Sequence, residues 1–217
     1  MTKKFFLVLG LILIATGLLF YKQIRRALGI TVTPNALPLI EFTSVNIPEG
    51  GFTPVLGNPG ADITVVEFAD FACGECKKIH YGLSDYIAKN PQKARLIWRG
   101  VPAGKWYAAG NTLSHQASYC ADKQGKFWQF AAMAMSDKNN LTEAGLKKMA
   151  EGLNLNLVAW GRCANSEEAK QAVTANSDIA AGLGIRALPG IFINNRRINL
   201  DAQADIVEIL KKFVEKE

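Results

Sequence analysis

Ile63-Thr64-Val65-Val66-Glu67-Phe68-Ala69, continued by Asp70-Phe71-Ala72 and closed by Cys73-Gly74-Glu75-Cys76, is the stretch that decides the fold of this chain. The apolar run reads as a strand, and the residues from Cys73 to about Ala88 read as a helix. Two thiols therefore sit at a strand-to-helix turn. A helix start leaves backbone N–H groups unpaired and carries partial positive charge, so Cys73 is expected to be stabilised as a thiolate. A thiolate is the attacking species in disulfide exchange. Cys76, one turn later, is placed to close a disulfide with Cys73 and to release a mixed disulfide.

The C-x-x-C spacing has other readings. It also begins zinc sites, and His80 would extend it to three ligands, with Cys120, Cys163 and His115 as the remaining candidates for a fourth. A purely structural local disulfide is the third reading. The preceding strand favours redox chemistry.

Glu67 lies within the apolar strand, where burial favours the neutral carboxyl. It is thus a candidate to hold or accept the proton that Cys76 exchanges. Its alternative is a residue on a solvent-facing side of the strand. Downstream, Ile185-Arg186-Ala187-Leu188-Pro189-Gly190-Ile191-Phe192-Ile193-Asn194 places a proline directly before a short β-rich run, which marks a turn or an edge.

From about residue 55 to the C-terminus the chain resembles a DsbA-like thiol:disulfide oxidoreductase of the thioredoxin superfamily. Gly57 to Cys73 is similar to that family's first strand and active-site entry. Cys120-Ala121-Asp122-Lys123-Gln124-Gly125-Lys126-Phe127-Trp128 resembles its helical-insert signature, and Leu188-Pro189 its cis-proline loop. The resemblance implies that Cys73 is the exposed nucleophile, Cys76 the buried partner, Glu67 the buried acid and Pro189 a cis-proline facing the disulfide. Such a turn would expose the Leu188 backbone beside Cys73, where an extended substrate segment pairs as an added strand. Two features depart from the common family pattern: Gly74-Glu75 between the cysteines, and Ala187-Leu188 before Pro189. They bear on redox direction and substrate preference.

The 217 residues, about half of them hydrophobic, suffice for one sizeable domain with a core. The formal charge of +6 arises at one end. Lys3, Lys4, Lys22, Arg25 and Arg26 fall in the first 30 residues with no acidic partner, leaving 20 basic against 19 acidic side chains elsewhere. Nothing in this balance argues for nucleic acid as a partner, which would need a clustered basic surface on the folded domain. No bound cofactor is implied, because the thiols themselves carry the electrons.

Residues 1–30 read as a targeting segment. The uncharged run from Phe5 to Tyr21 is bracketed by basic residues and, as a helix, spans about 25 Å against a hydrocarbon core of roughly 30 Å. An uncleaved membrane anchor is the first reading. A signal cleaved near Ala15-Thr16-Gly17 is the competing one. Disulfide donors work where disulfides persist, so the domain is expected on the periplasmic face of the cytoplasmic membrane, or soluble in the periplasm after cleavage. The four cysteines agree with an oxidising compartment.

Residues 31–56 read as a linker, broken by Pro34, Pro38, Pro48, Pro54 and Gly50-Gly51, with a short strand at Leu39 to Val45 as an option. Residues 57–217 form the catalytic domain. Its second strand is Ala94 to Arg99, and a helical insert occupies about 101–184. Leu146, Met149, Ala150 and Leu153 make an apolar stripe there, with Thr142 capping that helix and Asn165 or Ser166 the next. After Pro189 come a strand, a tight turn at Asn194-Asn195, a last strand near Arg197 to Asn199 and a helix from Ala202. The order β, α, β, helical insert, β, β, α is an α/β thioredoxin fold with an inserted helical domain, preceded by an N-terminal membrane segment.

Cys120 and Cys163 fall in two insert helices. A structural disulfide between them and a pair of buried thiols are both open. His80 turns to about the same face of its helix as Cys73 and is read as a packed or solvent-facing residue that could tune the site. His115 receives no role. Arg99, Arg186, Arg196 and Arg197 are candidates to border a peptide groove. Trp98, Trp106, Trp128 and Trp160 read as core or interface aromatics.

The whole reads as an extracytoplasmic enzyme that exchanges disulfides with cysteine-containing proteins through a mixed disulfide on Cys73, chiefly as oxidant. A membrane or soluble redox partner would recycle the Cys73–Cys76 pair. A reductase or isomerase of the same fold is the alternative. A metal-binding or copper-delivery protein using Cys73, Cys76 and His80 is the rival from another class.

Overall fold

A computed structural model describes residues 13–14, 16–21, 23, 44–103, 109–200 and 205–216. The chain divides into two units, Met1–Ile40 and Glu41–Glu217. In the first, residues 16–21 are helical and Leu18, Leu19 and Phe20 are exposed. Among the described residues no helix is long and apolar enough to cross a membrane. The anchor or signal expected over residues 1–30 lies largely outside the described residues, as do Trp106 and the expected helix start at Ala202.

The second unit carries a five-stranded sheet. In chain order its strands are β1 (Val55–Leu56), β2 (Ile63–Ala69), β3 (Ala94–Gly100), β4 (Gly190–Ile193) and β5 (Arg196–Ile198), arranged in space as β1-β3-β2-β4-β5. β2 is central, parallel to β3 and antiparallel to β4. Helix α1 (Gly74–Lys89) makes the crossover from β2 to β3 that a parallel pair requires. Between β3 and β4 lie α2 (Ala109–Asp122), α3 (Phe127–Ser136), α4 (Glu143–Gly152), α5 (Leu157–Ala164) and α6 (Glu167–Gly182). The described chain closes with α7 (Ile206–Val214).

Strand alternation sorts β2 onto two cores. Ile63 and Val65 pack with Leu83 and Ile87 of α1 and Leu210 of α7. Val66 and Phe68 face the other way, onto Phe192 of β4 and Ala180 of α6. Phe68 and Phe192 meet edge to face at 5.8 Å, and truncating either to alanine removes about 3–5 kcal/mol of packing. Gly82 lets α1 approach α7 closely, since a Cβ there would lie 3.2 Å from Val207 Cγ2.

Short-range chemistry sets the ends of these elements. Thr142, Asn156, Ser166 and Asp205 each accept a backbone N–H of the first turn of their helices, as N-cap residues do. Asn194 and Asn195 both have positive φ, 46° and 63°, and close the two-residue turn from β4 to β5. The first strand was not legible: Val55–Leu56 falls in the stretch read as linker, yet pairs with Leu96 and Ile97 of β3. Of the strand option over Leu39 to Val45, residues 39–43 lie outside the described residues, and Ser44 makes an isolated bridge to Arg196.

Arg99 corrects an expectation. It does not border a groove: it is buried and donates to the carbonyls of Pro48 and Gly50 and to Asn176 Oδ1. Asn176 in turn donates to the Phe52 carbonyl at 2.8 Å. This face of β3 thereby straps residues 48–52 onto the sheet.

Candidate active site

Cys73 is the N-cap residue of α1, extended at φ −81° and ψ 117°, with its Sγ accepting the Cys76 N–H at 3.1 Å. The turn into it is closed by Cys73 N–H donating to the Asp70 carbonyl at 3.2 Å. Cys73 and Cys76 are joined as a disulfide with their Cα atoms 5.2 Å apart. The two sulfurs are unequal. Cys73 is half-buried between exposed Gly74 and Glu75 on one side and Ala72 on the other, whereas Cys76 is fully buried. An incoming thiolate therefore meets Cys73 first, and N–H groups of the helix start are at hand for negative charge on its sulfur.

The chain before β4 comes to the same place. The Leu188–Pro189 peptide is cis, and the Leu188 carbonyl oxygen lies 3.9 Å from Cys73 Sγ. A groove beside the disulfide is lined by Glu75, Lys78 and Ile79 of α1, by Leu188 and Pro189, and by Arg197 of β5. Its lining joins buried Ile79 and half-buried Leu188 and Pro189 with the charged Glu75, Lys78 and Arg197. A smaller cleft is built from α2, α4 and α5 around Leu113, Leu146, Leu157 and Trp160.

On β2, Glu67 is 0% exposed and its Oε2 lies 2.8 Å from Nδ1 of His80 on α1. Its other oxygen, Oε1, is buried without a hydrogen-bond partner. His80 sits one turn after Cys76 on the buried stripe of α1 that includes Leu83 and Ile87. Trp128 stacks on its imidazole at 6.0 Å and Trp98 meets it edge-on at 5.2 Å.

A second carboxylate–imidazole pair stands at the exit of β2. Asp70 Oδ1 accepts the Ala72 N–H at 2.6 Å, Oδ2 accepts the Ala103 N–H at 2.7 Å, and His115 Nε2 of α2 lies 3.4 Å from Oδ2. Burial pushes the Asp70 carboxyl up, but hydrogen bonding and charge from His115, together with those two N–H groups, outweigh it and hold the carboxyl below its ordinary value. Phe71 stacks on His115 at 4.7 Å and on Trp98 at 5.2 Å. A continuous aromatic row, His115–Phe71–Trp98–His80–Trp128, thus runs between and past the two pairs.

The chain has two histidines, and both are buried against a carboxylate of β2 or its exit. Sequence reasoning gave His115 no role and read His80 as packed or solvent-facing. The available signal was Glu67 and Asp70 themselves: carboxylates at the end of an apolar strand need a buried partner, and histidine was scarce enough to name it. In the insert, Cys120 of α2 is bonded to Cys163 of α5 with Cα atoms 5.8 Å apart.

Comparison with known proteins follows the same lines. A family model described as Thioredoxin matches residues 50–212. Probable disulfide bond formation protein D of Bacillus anthracis is 29% identical over 178 residues, covering 75% of this chain and 76% of that protein. The Na(+)/H(+) antiporter NhaA 3 of Salinispora tropica is 26% identical over 143 residues, which is 66% of this chain and 22% of the antiporter. The chain thus spans less than a quarter of the length of such antiporters. Among solved structures, a thioredoxin-like oxidoreductase from Silicibacter pomeroyi superposes with a TM-score of 0.65 at 24% identity, covering 76% of this chain and 91% of that one. BdbD from Bacillus subtilis does so at 0.64 and 24%, over 76% and 91%.

Proposed function

Because the chain belongs to the thioredoxin family whose model spans residues 50–212, we propose that it is a DsbA-like enzyme that oxidises cysteine-containing extracytoplasmic proteins by disulfide exchange through Cys73. The observation that carries this reading is the inequality of the two bonded sulfurs: Cys73 half-open at a helix start beside the Leu188 carbonyl, Cys76 sealed beneath it.

The exchange proceeds in two displacements. A substrate thiolate attacks Cys73 Sγ, forming a mixed disulfide and breaking the Cys73–Cys76 bond. Cys76 leaves with the bonding electron pair and is protonated, with Glu67 as the buried acid. The second substrate thiolate then attacks its own sulfur in the mixed disulfide, and Cys73 leaves as a thiolate that the helix start stabilises. Two electrons pass from the substrate dithiol to the protein. An external redox partner must remove them to regenerate the disulfide. Meanwhile the Leu188 backbone and Pro189 hold the substrate segment as an added strand along the groove.

The name of the Bacillus relative supports oxidation as the direction. The transport activity named for the antiporters concerns those proteins, and it is not carried over. We place the domain on the periplasmic side of the cytoplasmic membrane, with residues 1–30 as its anchor or a cleaved signal. The rival metal-binding reading draws no support from the geometry, since among the described residues no three His, Cys, Asp or Glu side chains are grouped to hold a metal ion.

The test is single-turnover oxidation of a reduced two-cysteine peptide by the full chain, paired with metal analysis of the reduced protein. Stoichiometric peptide oxidation that is lost in Cys73→Ser supports the reading. Tight stoichiometric metal with no peptide oxidation overturns it.

A further inference from the structure

We infer that His80 is a positioning residue for Glu67, and that the two side chains act as one buried proton-holding unit for the Cys76 thiol. The inference rests on the exchange reading and adds to it a residue, a tautomer and a pH dependence.

Three observations carry it. Glu67 is wholly buried, yet only Oε2 is satisfied, by His80 Nδ1 at 2.8 Å; Oε1 stays unpartnered. A buried carboxylate oxygen without a partner is costly, and a proton held on it relieves that cost. His80 cannot swing away without leaving its stack with Trp128 and its edge contact with Trp98. Finally, Cys76 and His80 stand one turn apart on the same buried stripe of α1 and so share a face with Glu67 between sheet and helix. The groups around the unit are Cys76 and Tyr81 of α1, Trp98 of β3 and Trp128 of α3. Beyond Trp98, across Phe71, stands the Asp70–His115 pair.

The chemistry follows from these roles. His80 carries its proton on Nδ1 and donates it to Oε2, which fixes the carboxyl and leaves Oε1 as the exchanging atom. When the Cys73–Cys76 bond breaks, the electron pair leaves on Cys76 Sγ and the proton on Oε1 moves to that sulfur. The carboxylate left behind keeps its Nδ1–H bond. His80, whose side chain is 4% exposed, then takes up a proton from solvent and restores neutrality. Reoxidation runs the same transfers backwards. An imidazole in this place thus joins the redox state of the disulfide to proton uptake.

The spectroscopic test uses the wild-type full chain labelled with 15N at histidine. Its two imidazoles are told apart by the signal that disappears in His80→Gln. The expected result is an Nδ1–H tautomer for His80 in the oxidised protein and a titration that shifts on reduction with dithiothreitol, a shift abolished in Glu67→Gln. A His80 titration identical in both redox states overturns the inference.

The kinetic test follows expulsion of Cys76 by a small thiol against pH. His80→Phe should slow it by at least about tenfold, within the range of general acid–base effects. His80→Gln, which keeps an N–H for Oε2 but takes up no proton, should stay nearer wild type at neutral pH and lack the pH inflection that the inference predicts for wild type. An unchanged profile in His80→Gln overturns the pairing while leaving disulfide exchange intact. A protein that oxidises no substrate, yet whose His80 signal follows the disulfide, overturns the proposed function and leaves the pairing standing.

Discussion

Asp70 and His115 form a tie between the active-site turn and the helical insert: His115 Nε2 of α2 meets Asp70 Oδ2 at 3.4 Å, while Asp70 Oδ1 receives the Ala72 N–H directly before Cys73. The turn presenting the more accessible sulfur is therefore braced from a helix of the insert, more than 40 residues away in sequence.

A pH dependence of stability follows. The Asp70 carboxyl is held below its ordinary value of 3.8. A carboxyl depressed on folding contributes stability above its unfolded pKa, and loses it as pH falls through the folded value. Denaturant unfolding measured from pH 7 downward should show a loss beginning near pH 4 and deepening below it, and Asp70→Asn should flatten that limb. At neutral pH the same variant should be less stable by about 1 kcal/mol, because one of two part-buried N–H donors, Ala72 or Ala103, then faces an amide N–H₂. An acid limb of equal depth in both proteins would contradict the assignment.

The inequality of Cys73 and Cys76 predicts which variant traps substrate. On the proposed exchange, the Cys73 thiolate of Cys76→Ser attacks a substrate disulfide and expels one substrate thiolate, and no buried thiolate is left to displace the adduct, so substrate proteins should accumulate on Cys73. Cys73→Ser should trap few or none. Non-reducing electrophoresis of both variants after acid quenching reads this out, and equal trapping by the two would reverse or dissolve the assignment.

The Cys120–Cys163 bond joins α2 to α5 across 43 residues. By chain entropy alone such a closure stabilises by roughly 4 kcal/mol. The Cys120→Ala/Cys163→Ala variant should therefore unfold at clearly lower denaturant while keeping peptide oxidation near the wild-type rate, since neither sulfur lies at α1. Activity lost in proportion to Cys73→Ser would give the second disulfide a redox role instead.

What could be read from the sequence was whatever is encoded locally. The strand into Cys73, the caps at Thr142 and Ser166 and the Asn194-Asn195 turn are each set by neighbouring residues, and each stands in the structure. Val55–Leu56 was missed because a two-residue edge strand has no periodicity of its own; its pairing with β3 comes from across the sheet. Arg99 was misplaced for a similar reason. Its burial depends on the carbonyls of Pro48 and Gly50 folding back over β3, which nothing around residue 99 announces. The candidate site divides along the same line. Cys73 and Cys76 are a local motif, but His80 against Glu67 and His115 against Asp70 are tertiary pairings between residues 13 and 45 positions apart.

Glu75 sets the remaining prediction. It is exposed in the first turn of α1, two residues after Cys73, at the helix end where charge would develop on the Cys73 sulfur. Negative charge there opposes the helix start and disfavours the Cys73 thiolate, so the reduced form is stabilised less and the disulfide is a weaker oxidant. The reduction potential should accordingly lie between roughly −120 mV, the value for DsbA, and roughly −270 mV, that for thioredoxin. Glu75→His removes the negative charge and should raise the potential; a rise of about 30 mV corresponds to a tenfold change in the equilibrium constant of this two-electron couple. Because the side chain is solvent-exposed, salt screens its effect, and the difference between wild type and Glu75→His should shrink as ionic strength rises from about 0.01 to 1 M. Equilibration of both proteins against glutathione buffers at the two salt concentrations measures the potentials. A wild-type potential at or above the DsbA value, or a Glu75→His protein no more oxidising at low salt, would remove Glu75 as the residue that sets the poise.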